Sequence, residues 1–133
     1  MEDFILREID RIGTLLRALL EKTGALRQAG ESRRLCETAR SELLGGLGLD
    51  LDALLASEDF IDRLTADHGF AEEHLELAAE LLADLAGATD DRPERQRLAA
   101  AALAIYRRLD AAGAPASFNR YYVLLDLEQY IKQ

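Results

Sequence analysis

The chain is short of several things, and each shortage removes a class of function. It has one cysteine, Cys36, so no internal disulfide can form, and a reducing cytoplasm is the expected setting. No apolar run approaches the roughly 20 residues that span a bilayer, so no membrane role is expected. The opening Met-Glu-Asp-Phe is acidic where a secretory signal would be basic. There are only two prolines, at 93 and 115, and no stretch alternates apolar and polar residues as a half-buried strand does. Only two histidines occur, His68 and His74, six apart. Neither belongs to an HExxH pair nor follows a glutamate by three residues, so zinc and di-iron chemistry find no ligand set, and no cofactor is expected.

What is present is leucine, alanine and charge. The 133 residues are about half apolar, enough for a single domain spanning 1–133 that buries roughly two-thirds of its unfolded surface. The net charge of −9 is unevenly spread. Residues 1–49 balance eight acids against eight bases, whereas residues 50–91 set thirteen acids against Arg63 alone. Residues 92–133 then carry an excess of three positive charges. Nucleic-acid binding rests on Lys and Arg contacts to phosphate, so this balance argues against it. Arginines outside the middle segment also disfavour an acidic mimic of nucleic acid. An acidic middle beside a basic end implies internal pairing or docking onto something basic.

Apolar residues at three- and four-residue spacing predict helices almost throughout. The first is expected over Glu2–Lys22, where Ile5, Ile9, Ile12, Leu16 and Leu19 draw one stripe and Gly24 serves as a C-cap. A second follows Gly30 and breaks at Gly45-Gly46. Two short helices are expected near Leu51–Ala56 and from a Ser57 cap to about Asp67. Longer ones cover Phe70–Gly87 and "TDDRPERQRLAAAALAIYRRLDAAG", with Pro93 in the first turn of the latter, and a last helix runs from about Ser117. The expectation is an all-α array of about six or seven antiparallel helices.

Paired helices with tight turns suggest a helical repeat. Ala102, Tyr106 and Pro115 resemble the small residue, aromatic and proline of the tetratricopeptide second helix, with Pro115 one place late. "AGESRRLCETARSELLGGLGLD" resembles the glycine-led second helix of the same repeat, although the first-helix landmarks are largely missing. Over most of its length the chain also resembles a family of small bacterial helical proteins of unknown function, in "DFILREIDRIGTLLRALL" and "ELLGGLGLDLDALLAS". That resemblance implies a tetratricopeptide-like fold and a bacterial cytoplasmic protein, and brings no activity or site residues.

Two features point to contacts with a partner. Glu73, Glu76, Glu80 and Asp84 step by three, four and four along one helix and form an acidic ridge, read as a docking face for a basic partner or as a surface neutralised by Arg95, Arg97, Arg107 or Arg108. The last helix holds four of the chain's eight Phe and Tyr residues. Phe118, Tyr121, Tyr122 and Leu125 take one side, expected in the core; Val123, Leu127 and Tyr130 take the other, with Leu127 and Tyr130 the expected apolar contact surface. The function read from this pattern is a protein–protein interaction module, self-associating as a homodimer through its terminal helices. The rival is a small enzyme or ligand-binding helical domain with an interhelical pocket, in which Glu8, Cys36 or His74 would take part.

Overall fold

The computed structural model describes the backbone of residues 2–115 and 118–132, and the side chains of 11–115 and 119–132. The described residues form seven helices and no strand: α1 (Glu2–Gln28), α2 (Ser32–Leu47), α3 (Leu51–Leu55), α4 (Phe60–Ala66), α5 (Glu72–Ala88), α6 (Arg92–Ala111) and α7 (Phe118–Lys132). The expected all-α array is therefore the observed one.

α5 is the centre, packed against α1, α2, α6 and α7. Ten of its seventeen residues are buried, which leaves little beyond one acidic stripe for other surroundings. Its contact with α6 is built from small residues. Ala79 and Ala86 on α5 and Ala99 and Ala102 on α6 are fully buried, so the backbones approach closely while Leu85, Leu98 and Ile105 fill the remaining space. The short α3 and α4 close the end where α1, α2 and α5 meet, around a void of about 20 Å3 lined by Leu16, Leu43, Leu54, Leu64 and Phe70. That is room for no more than one water molecule, and the lining offers it no polar partner.

Caps explain several boundaries. Asp50 accepts the Ala53 N–H at 3.3 Å to start α3, and Asp91 accepts the Glu94 N–H at 3.3 Å to start α6, with Pro93 in a first turn that does not need its missing donor. Ser57 does not cap α4. Its hydroxyl donates back to the Ala53 carbonyl, and Asp59 takes the N-cap position.

Two expected breaks are absent. α1 runs through Gly24 to Gln28, because the turn beyond the glycine is held by packing: Leu26 rests on the core and Arg27 pairs with Asp84. The chain instead reverses at Gly30, whose φ of 74° admits the backbone bonds Gly30 N–H to Arg27 O and Glu31 N–H to Leu26 O. α2 likewise runs through Gly45 and Gly46. Gly46 is there for proximity, since a methyl group at that position would collide with the Leu15 side chain across the α1–α2 contact.

The two neighbouring glycines should therefore respond unequally. Gly45 is exposed with nothing near its missing Cβ, so Gly45→Ala should raise stability by up to about 1 kcal/mol through helix propensity alone. Gly46→Ala should lose that gain, because the end of the half-buried Leu15 side chain must swing aside to admit the methyl. Denaturant melts of the two variants check this, and equal effects would refute the close-approach account.

Candidate functional site

The acidic ridge of α5 does not face solvent as a docking surface. Only Glu73 is well exposed. The others are covered by cationic and polar groups from the two ends of the chain. Arg120 of α7, only 2 % exposed, forks onto Glu76, with Nε donating to Oε1 at 3.1 Å and Nη2 to Oε2 at 2.5 Å. Its Nη1 donates to Asp110 Oδ1 at 2.7 Å, and its guanidinium lies 5.5 Å from the Tyr106 ring centroid. Asp84 receives Arg27 at 2.7 Å and lies 3.3 Å from the Thr23 hydroxyl, both from α1. Glu80 takes a side-chain hydrogen bond from Asn119.

Three of the four arginines expected to neutralise the ridge, Arg95, Arg97 and Arg108, have partners elsewhere. Arg95 donates to the Ala86 and Thr89 carbonyls at 3.1 and 2.6 Å, closing the C-terminal end of α5. Arg97 pairs with Asp52 and Arg108 with Asp62, so α6 neutralises the acidic α3–α4 segment.

The two sides of α7 are the reverse of expectation. Leu127 is fully buried and Tyr130 half-buried, so neither forms an exposed contact surface. Tyr130 lies over Gly87, where a Cβ would come 2.8 Å from the phenol oxygen, and its ring is 5.8 Å from the Arg95 guanidinium. Tyr121, Tyr122 and Leu125 point outward at 62 %, 64 % and 46 % exposure, with Ile131 beyond them. The side chain of Phe118 lies outside the described residues. The deciding residue is Arg120. It stands seven residues before Leu127 and hence on the same face, and its ion pairs turn that face inward.

Between α1, α5 and α7 lies a groove of about 420 Å3. Glu80, Asp84, Asp126 and Arg27 bring charge to it, Asn119 an amide, and Tyr122 and Tyr130 aromatic rings. Burial raises the Glu80 carboxyl above its ordinary value, and the charges of Glu76 and Asp84 add to this against the Asn119 bond. Burial also raises Asp84, opposed by Arg27 and Thr23. Tyr106 of α6 is fully buried, and its hydroxyl has no hydrogen-bond partner. Burial pushes its phenol well up, with Glu80 and Glu76 adding to the effect.

The remaining polar candidates do not converge. His74 is buried at the start of α5, where Nδ1 accepts the Ala71 N–H at 2.9 Å and the ring stacks edge-on against Phe70. Cys36 is half-buried on α2 with Arg40, Glu94 and Asp90 as its charged neighbours. Burial raises its thiol, opposite to the direction an activated nucleophile needs. The Glu8 side chain lies outside the described residues. Among the described residues no three His, Cys, Asp or Glu side chains gather as metal ligands, and no helix is long and apolar enough to cross a membrane. No protein family matches the chain, and neither does any curated protein or solved structure.

Two outcomes follow from the charges on α5. Arg120→Ala takes the bidentate guanidinium away from the half-buried Glu76 and should cost about 3 kcal/mol. Arg120→Lys, which keeps the charge and loses the fork, should recover only part of that. A full recovery in thermal melts would contradict the bidentate account. Glu80 has a folded pKa above its unfolded one, so its ionisation costs stability as pH rises past the ordinary glutamate value, about 4.3. Glu80→Gln should therefore raise Tm at pH 7, and the gain should vanish below about pH 4. A Tm lowered at neutral pH would overturn this.

Proposed function

We propose that the protein is an interaction module that pairs with a second copy of itself through the outward face of α7. The observation that carries this reading is the contiguous exposure of Tyr121, Tyr122 and Leu125 on a helix whose opposite face is anchored in the core. Tyrosine is enriched at interfaces because it offers a large rigid apolar area with a polar tip. The two phenol rings already meet edge to face, centroids 5.4 Å apart, so little side-chain freedom remains to be lost on docking. An isologous contact, the same patch on both copies, is the commonest route for such a face to become covered. With its ridge largely neutralised from within, the acidic α5 is not the recognition element in this reading. The single half-buried Cys36 suits a reducing cytoplasm. A bacterial origin and a tetratricopeptide-like ancestry of the helix pairs rest on the sequence resemblances.

Light scattering over a range of concentrations tests the proposal. The expected mass is near twice 14.7 kDa, falling to that of one chain in the Tyr121→Glu, Leu125→Glu double variant with helix content and Tm unchanged. Leu127→Glu, by contrast, should unfold the last helix. A single-chain mass at every concentration would sink the reading.

A further inference from the structure

Four charges border the outward face of α7, and their order is its own complement. Asp110, near the end of α6, accepts Arg120 Nη1 at 2.7 Å through Oδ1, and with its side chain 59 % exposed it has room for a second cation. Arg107 is exposed three residues earlier and so lies on the same side of α6. On α7 itself Glu128 and Lys132 are both exposed, and helical spacing puts them in line with Tyr121 and Leu125. Among the described residues Arg107, Glu128 and Lys132 take part in no ion pair, whereas Arg95, Arg97 and Arg108 of α6 are all engaged.

Contacts between α6 and α7 set the levels of these charges. Arg120 meets Asp110 and the Tyr130 ring lies 5.8 Å from Arg95, so the two helices run antiparallel. Asp110 therefore stands beside the start of α7, with Arg107 one turn further along. From the start of α7 to its end the charges run Asp110, Arg107, Glu128, Lys132. A second copy turned end for end about an axis near Asp126 brings its Lys132 to the level of Arg120, within reach of Asp110. Its Glu128 then lies beside Arg107, and the symmetry repeats both pairs. The same register sets Ile131 of one copy level with Tyr121 of the other and places Leu125 beside its own counterpart. Three exposed apolar side chains of α7 are covered at once. A parallel arrangement would set Glu128 on Glu128 and Lys132 on Lys132, which is repulsive at both points.

We propose that a second copy of this chain docks antiparallel on α7, with Lys132 on Asp110 and Glu128 on Arg107 as reciprocal ion pairs that fix orientation and register. This rests on the self-pairing reading above and adds the residues that select the partner. Rim charges of this kind contribute little affinity of their own; their effect is to penalise every other arrangement.

Complementation between two charge-reversed variants tests this by light scattering over a range of concentrations. Arg107→Glu sets glutamate against Glu128 of the second copy, and Glu128→Lys sets lysine against Arg107. Each variant alone should pair about tenfold more weakly than the parent chain, since two contacts per pair turn repulsive. An equimolar mixture should regain the parent affinity, because one copy of each restores attraction at both contacts. Neither residue has a partner within its own chain, so Tm should be unchanged. Glu128→Lys also lowers the net charge of −9, so general charge repulsion predicts tighter pairing in that variant, opposite to the proposal. Affinity unchanged in Arg107→Glu, or a mixture no tighter than either variant alone, would overturn the antiparallel register. The self-pairing reading survives that result if Tyr121→Glu, Leu125→Glu still separates the copies. A parent chain that is single at every concentration overturns both.

Discussion

α5 is packed against four other helices, and yet one line of its surface carries Glu76, Glu80 and Asp84. Carboxylates cannot be set against apolar neighbours without partners. Whatever covers that line must bring positive charge or hydrogen-bond donors. The chain meets the requirement from both of its ends: Arg27 and Thr23 from α1, and Arg120 and Asn119 from α7. The terminal helices are thereby tied to the centre by polar contacts as well as by leucines. Placement follows from the same constraint. α1 is extended past Gly24 far enough to deliver Arg27, and α7 is rotated to deliver Arg120.

That rotation explains the outward tyrosines. α7 has apolar residues all around its circumference, so hydrophobic periodicity alone cannot choose which side is buried. A single fully paired guanidinium makes the choice, and Leu127 follows it inward while Tyr121, Tyr122 and Leu125 are left outside. The aromatic face is the remainder after electrostatics has been satisfied, not the side that burial would have selected first.

How legible this was in the sequence depends on whether the deciding interaction is local. Helix starts with an Asp cap, the Pro93 first turn and the turns at Gly30 and Gly69 are near-neighbour chemistry, and the element order is readable from them. Gly24, Gly45 and Gly46 look like the same punctuation. None of them ends a helix: beyond Gly24 the turn is held by Leu26 on the core and by Arg27 pairing with the distant Asp84, Gly46 lies against the distant Leu15 side chain, and Gly45 is exposed with nothing near it. The ridge was visible as a pattern, but its partners lie 44 and 57 residues away, at Arg120 and Arg27. The one available signal was Arg120 itself, a lone cation seven residues before Leu127 on an otherwise apolar face.

Not every member of the ridge is relieved equally. Glu76 has a bidentate guanidinium and Asp84 an arginine, while Glu80 has an amide and two like charges on its own helix. A sequence selected only for stability would place glutamine at 80 and phenylalanine at 106, since the first removes a desolvated charge and the second a buried hydroxyl without a hydrogen bond. Both groups give up stability in the protein as it stands. α7 meets the ridge with Arg120 and Asn119 on its inner side and leaves Tyr121, Tyr122 and Leu125 outside, so one helix carries an electrostatic anchor and an apolar face.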